Sequence, residues 1–158
     1  MAMTRPRTPA AFTLLELIIV VVIIGIIAAI AVPRMSRGSA GASDKALAGN
    51  LAVIRNAIDM YAGEHVGTFP TSDEVAEQLT GYTDVNGDVA DMPDATHVYG
   101  PYLHKVPPLP VGANKGGNGI ADADGDGVGW IYAPATGAIR ANCPADEEDI
   151  GGTAYRDY

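Results

Sequence analysis

Two hydrophobic patterns of different kind follow one another along the chain. Every position from 17 to 32 is apolar or glycine. Further on, Leu47, Leu51, Ile54, Ile58 and Tyr61 are spaced four, three, four and three, which draws one stripe along a helix. The first pattern predicts a helix with no polar side, the second a helix with one face to bury. Small residues (36–43) lie between them, and Ser43 or Asp44 could cap the second stretch. Beyond the stripe, Thr71 and Glu74 spell a capping box for a short helix reaching about Leu79. Residues 97–103 read as strand-like. A clear hairpin follows: 129–133 alternates, Pro134-Ala135-Thr136-Gly137 turns, and 138–141 returns. The pattern predicts an α+β chain whose apolar stripe needs a sheet or loops to cover it, and Gly38 and Gly41 suggest a break between the two helical stretches.

Sixteen residues at helical rise cover about 24 Å, somewhat short of the ~30 Å hydrocarbon core of a bilayer. Extending the span back to Ala10 supplies the missing length but carries Glu16 into the apolar region. A carboxylate there costs on the order of 2–3 kcal/mol, which makes Glu16 the most informative residue of the chain. The basic residues Arg5 and Arg7 precede the run and favour a cytoplasmic N-terminus, while Arg34 and Arg37 just beyond it pull the other way. A secretory signal peptide has the same basic-then-apolar order. Here, however, the apolar run leads into an amphipathic helix, and no A-x-A boundary precedes that helix.

The segment Ala11-Phe12-Thr13-Leu14-Leu15-Glu16, followed by LIIVVVIIGIIAAIAVP, closely resembles the class III signal of type IV prepilins and pseudopilins. The resemblance covers about the first third of the chain. It implies a pilin-like α+β fold, in which one long N-terminal α-helix packs on a small antiparallel β-sheet, and cleavage by a prepilin peptidase between Ala11 and Phe12, with N-methylation of Phe12 by the same enzyme. Ala11 stands where the family usually has glycine. Glu16 corresponds to the family's signature acid, and Gly25 and Pro33 fall where the family places helix-loosening residues. Four regions are then expected: a cleaved basic leader (1–11), a transmembrane and assembly helix (12–33), its amphipathic continuation (34–64), and an exported domain (65–158). In low dielectric the new terminal ammonium can pair with a Glu16 carboxylate, its own or a neighbour's, which offsets part of the cost of burying either charge. Pro33 is expected to kink the helix, and 25–33 to be the segment able to unwind in a filament.

Charge and cysteine content narrow the function. From Ala46 onward five basic residues (Arg55, Lys105, Lys115, Arg140, Arg156) face seventeen acidic ones. Such a surface argues against nucleic-acid binding, which needs clustered Lys and Arg. The single cysteine, Cys143, permits no intrachain disulfide, so the domain must hold by packing, by neighbours or by a metal. Asp122-Ala123-Asp124-Gly125-Asp126-Gly127 matches the opening of a Ca²⁺ loop, but the twelfth position is Ala133 rather than an acid. Asp84-Val85-Asn86-Gly87-Asp88 is a weaker echo, and the acids at 146–149 could complete a site from a distance. Two readings stay open: calcium held by Asp122, Asp124 and Asp126, and a solvated acidic turn.

The resemblance implies a structural subunit, most like a type II secretion major pseudopilin. Such a subunit sits in the inner membrane with its C-terminal domain in the periplasm. Its partners would be further copies in a homo-oligomeric filament, the prepilin peptidase and methyltransferase, the inner-membrane assembly platform and minor pseudopilins. A surface type IV pilin for adhesion, motility or DNA uptake is the alternative within the family. From another class, a membrane-anchored periplasmic ligand-binding module or enzyme remains. An enzyme is not expected: no G-x-S-x-G, H-E-x-x-H or P-loop is present, and His65, His97 and His104 sit in no motif.

Overall fold

The structure, a computed structural model, describes residues 12–158. Helix α1 runs over Leu14–Glu64, and the chain divides into two compact units between Gly38 and Ser39. In the first unit, Leu14–Ala31 is long and apolar enough to cross a membrane by length and composition, and none of it is buried. Ile and Val dominate this stretch although both are indifferent helix formers in water. In hydrocarbon the balance changes, because every backbone N–H and C=O must find its partner inside the segment. The helical backbone passes through Gly25 and Pro33 without interruption. The side chains of 32–37, Pro33 among them, lie outside the described ones.

In the second unit the expected stripe is the centre of the core. Leu47, Leu51, Ile54, Ile58 and Tyr61 are all buried, with Ala57 between them. The expected cap at Ser43 or Asp44 does not form, because α1 is already helical there. Two glycines in the small-residue stretch weaken a helix by about 1 kcal/mol each relative to alanine, which the packing of the following stripe outweighs. Asp44 is instead a buried mid-helix carboxylate. It accepts hydrogen bonds from the Tyr155 hydroxyl (3.0 Å) and the Ile150 N–H (3.4 Å). α1 ends in a tight turn in which the Gly67 N–H returns to the Ala62 carbonyl (2.7 Å).

Helix α2 covers Val75–Thr80 and starts without the expected capping box. The Thr71 N–H donates to Gln78 Oε1 (2.8 Å), while the Gln78 amide donates to the Gly87 carbonyl (3.0 Å). A buried glutamine has taken the donor that the pattern assigned to a cap. Strands β1 (Tyr82–Thr83) and β2 (Val89–Ala90) pair antiparallel. The strand-like 97–103 contributes only an isolated bridge from Tyr99 to Thr83. Pro101, two residues on, has no N–H with which to extend it.

The main sheet has the order β3-β4-β5, from Gly119–Ala121, Val128–Ala133 and Ala138–Ala141. The hairpin is where the alternation placed it, with Trp130 opposite Ala141 and Tyr132 opposite Ile139. Strand β3 was not foreseen and pairs parallel to β4, so the sheet is mixed rather than antiparallel. Gly137 closes the hairpin turn with φ +69°, and a Cβ there would meet the Phe69 ring at 2.5 Å. Trp130 and Tyr132 point to the core, and both are anchored. The indole N–H donates to the Pro107 carbonyl (2.8 Å) and the Tyr132 hydroxyl to the Pro70 carbonyl (3.0 Å). Two proline-containing connections are thereby tied to one strand.

Val66 occupies a left-handed position at the end of α1, with φ +57° and 91 % exposure. A β-branched residue is a poor occupant of that region, where glycine is free of strain. We expect Val66→Gly to raise the stability of the folded chain by about 1 kcal/mol, read as a higher melting midpoint in detergent. An unchanged or lower midpoint would show that the turn carries no strain.

Candidate functional site

The start of α1 is built around Glu16. Thr13 lies just outside the helix and Glu16 in its first turn. The Glu16 N–H donates to Thr13 Oγ1 (3.2 Å), and the Thr13 N–H (3.2 Å) and hydroxyl (3.1 Å) donate to Glu16 Oε2. This is a complete capping box, in which each residue satisfies a backbone N–H of the other. The sequence reading had singled out Glu16 and missed Thr13, although T-x-x-E before an apolar run was the available signal. Phe12 is exposed immediately before the cap. Ala11, the other side of the expected cut, lies outside the described residues. At Gly25 an added Cβ would meet nothing within 4 Å, so packing within this chain does not require glycine there.

For the aspartate loop two readings are open, calcium and a solvated acidic turn, and its hydrogen bonds bear on that choice. Asp122, Asp124 and Asp126 are exposed, and among the described residues no group of three or more acidic, histidine or cysteine side chains is close enough to hold a metal ion. Asp124 is committed elsewhere. The Asn142 amide donates to Asp124 Oδ1 (2.7 Å) and to the Val128 carbonyl (2.8 Å), and the Asn114 amide stands at 3.5 Å from the same carboxylate oxygen. Amide donors aimed at that oxygen do not suit a cation ligand. The donor set therefore does not fit calcium as arranged, and a neutral amide bridges the loop instead. Of the distant acids, Glu147 accepts from the Ala113 N–H (2.9 and 3.1 Å) and Asp149 closes its own turn.

That turn belongs to a segment that clasps α1. Asp149 accepts from the Gly151 and Thr153 N–H groups and from the Tyr158 hydroxyl, and Tyr155 reaches Asp44. Arg55 donates to the Ile139 carbonyl (3.2 Å) and to the main-chain oxygen of Tyr158. The Tyr158 hydroxyl and the Thr153 N–H, with Gly151 and Gly152 behind them, hold the Asp149 carboxyl below the usual carboxylate range. In return the Asp149 hydrogen bond pushes the Tyr158 phenol up to about 12, and burial with the Asp44 bond does the same for Tyr155. Cys143 is buried, and burial and Glu147 raise its thiol to about 12, far from a reactive thiolate. His65 is buried at the end of α1, stacked on Tyr61 with ring centroids 3.8 Å apart. Its ring nitrogens face the Tyr61 and Asp84 carbonyls at 2.8 and 2.9 Å. His97 lies with Asp94 in an exposed turn, and His104 is exposed.

Residues 7–32 match the family model of the prokaryotic N-terminal methylation motif. No curated protein and no solved structure matches the chain. The chain therefore carries the methylation motif on an apolar, membrane-capable helix, and this supports a type IV pilin-like protein processed by prepilin peptidase.

Two outcomes follow from this geometry. We expect Asn142→Ala to destabilise the folded chain by about 1–3 kcal/mol, since it strips the donor from two acceptors, and EGTA to leave the melting midpoint of the parent unchanged. A midpoint lowered by EGTA would restore the calcium reading. The clasp should also be confined to a pH window. Asp149 has a depressed value, so its contribution is present above about pH 4 and lost as pH falls through the folded value. Tyr158 has a raised value, so its contribution is present below about pH 10 and lost as pH climbs toward 12. The midpoint difference between the parent and Tyr158→Phe should be constant near neutrality and close at both extremes. A difference that persists in acid would remove the role given to Asp149.

Proposed function

We propose that this chain is a structural subunit of a pseudopilus-like filament, assembled from the inner membrane in service of type II protein secretion. The observation that carries the reading is the capping box at Thr13 and Glu16, at the head of an unburied apolar helix within the methylation motif. An isolated membrane anchor needs at most the cap, which an uncharged glutamine supplies as well, and not the cost of a charge at that place. An assembling subunit needs the charge itself: cleavage between Ala11 and Phe12 leaves the helix in the membrane and creates an ammonium beside Thr13. Glu16 on an incoming subunit then pairs with that ammonium on the preceding one, fixing axial register, while the Ile and Val side chains supply the burial. The C-terminal domain faces the periplasm, in keeping with its acid excess. Prepilin peptidase, an assembly platform and minor pseudopilins are the partners this reading requires. Catalysis by the chain itself forms no part of it.

Mass spectrometry of the mature N-terminus is the first test, and a methylated Phe12 is expected. An intact Met1, or a cut beyond Val32, would overturn the reading. The second test separates the two roles of Glu16. Glu16→Ala should insert in the membrane normally but lose filament assembly. Glu16→Gln keeps a capping-box side chain without the charge, and should fail in the same way. Normal assembly of Glu16→Gln would show that capping, not charge pairing, is what the residue supplies. Electron microscopy of the parent strain distinguishes the periplasmic pseudopilus expected here from a surface pilus made of the same subunit.

A further inference from the structure

The chain contains two Asn-Gly pairs, Asn86-Gly87 and Asn118-Gly119. A glycine after asparagine has no Cβ to shield its main-chain nitrogen, which is then free to attack the side-chain amide carbon. At the first pair the Gly87 nitrogen would bond to Asn86 Cγ while the Cγ–Nδ2 bond breaks. Ammonia leaves with the displaced proton, and a cyclic imide remains. Water opens that ring to aspartate or isoaspartate, so water is consumed, ammonia is released and no oxidant or reductant takes part.

Both reacting groups of that pair are engaged by a single residue. Asp84 Oδ1 accepts from the Asn86 N–H (2.8 Å) and the Asp88 N–H (3.0 Å), and Oδ2 accepts from the Asn86 side-chain amide (3.0 Å). The Asp84 carbonyl takes the Gly87 N–H (3.1 Å), so the attacking nitrogen is occupied as well. Gly87 is buried at φ +90°, and a Cβ there would lie 2.5 Å from the Tyr61 hydroxyl oxygen. Its carbonyl accepts from the amide of Gln78, a residue only 2 % exposed. Asn118 is held differently. Its side chain has no hydrogen-bond partner among the described residues, and the Gly119 N–H goes to the Gly127 carbonyl (2.9 Å), with no part played by Asp84.

We propose that Asn86-Gly87 is a latent site of self-modification, that Asp84 is the positioning residue holding it back, and that the modified product unlatches the β1-β2 hairpin from α1 and α2. Attack requires the Asn86 side chain to leave Asp84 Oδ2 and the Gly87 N–H to leave the Asp84 carbonyl. Each loss is unfavourable, so the reaction waits on a local opening of the turn. An aspartate at 86 then sets a carboxylate oxygen where Asn86 Nδ2 donated, and it repels Asp84 at close range. Isoaspartate adds a methylene to the main chain and moves Gly87 relative to Tyr61. Either way the buried Gln78 amide loses the acceptor it was built on. Refolding does not undo the change, so it records that the hairpin has opened.

The test keeps the full chain in detergent in mildly alkaline buffer and digests samples at intervals. Mass spectrometry then follows conversion of amide to acid in the peptides holding Asn86 and Asn118. In the folded parent Asn86 should react at least about tenfold more slowly than in the same chain in urea. Asp84→Ala keeps the carbonyl but removes three side-chain contacts. It should speed Asn86 about tenfold and leave Asn118 at its parent rate. Asn118 serves as the folding control, since a chain that had merely unfolded would react faster at both sites. Asn86→Asp should lower the melting midpoint. A folded parent as reactive at Asn86 as in urea, equal acceleration at both sites in Asp84→Ala, or none at Asn86, would overturn the guard. An Asn86→Asp midpoint equal to that of the parent would overturn the unlatching.

Discussion

An apolar helix with nothing covering it is not tolerated in water, and residues 14–31 form such a helix on every side. This constraint governs the rest of the structure. From Ser39 on, the same helix α1 has one buried stripe and one exposed side, because there a domain of its own chain covers it. A single element therefore answers to two solvents, and its sequence changes character where the solvent changes. The capping box at Thr13 and Glu16 belongs to the same logic. The first N–H groups of a helix have no partners within it, and in an apolar setting water cannot supply them. A carboxylate that accepts from Thr13 satisfies the terminus and has its own charge partly solvated by the chain.

The unit from Ser39 onward meets a second difficulty, its excess of acid, chiefly with neutral donors. Asn142 serves Asp124, the Tyr102 hydroxyl serves Glu64, main-chain N–H groups serve Glu147 and Asp84, and Tyr155 and Tyr158 serve Asp44 and Asp149. Hydrogen bonds to a charged acceptor are stronger than neutral ones, so each stabilises its loop without a cation. That arrangement ties the loops to one another in a chain whose one cysteine allows no intrachain disulfide.

What could be read beforehand was whatever depends on neighbours in sequence. The stripe from Leu47 to Tyr61 and the hairpin around Pro134–Gly137 are local patterns, and both stand. The two T-x-x-E patterns show where local reading stops. At Thr13 the box forms because only helix follows it. At Thr71 it does not, because Gln78 folds back to take the Thr71 N–H while bridging to Gly87, a contact no short window reveals. Likewise β3 is three residues containing a glycine, too short to be seen before its parallel partner is known. The aspartate loop has the letters of a cation site, and its actual bridge, Asn142, lies on the far side of the hairpin. Asp44 was legible as a polar residue near a helix, but not as one buried beneath Tyr155.

The geometry at Glu16 also bears on the proposed pairing, in which one carboxylate serves both its own helix and a neighbour. Both Thr13 donors converge on Oε2, and among the described residues Oε1 accepts nothing. A carboxylate offers about four acceptor positions, so an ammonium can approach Oε1 while the cap stays closed. Assembly then need not dismantle the helix terminus in order to use its charge. The cap in turn restricts the rotamers of Glu16, so the side chain loses less freedom when the partner arrives. The same two hydrogen bonds that make the carboxylate tolerable in an apolar setting leave Oε1 open to the partner that the proposed pairing requires.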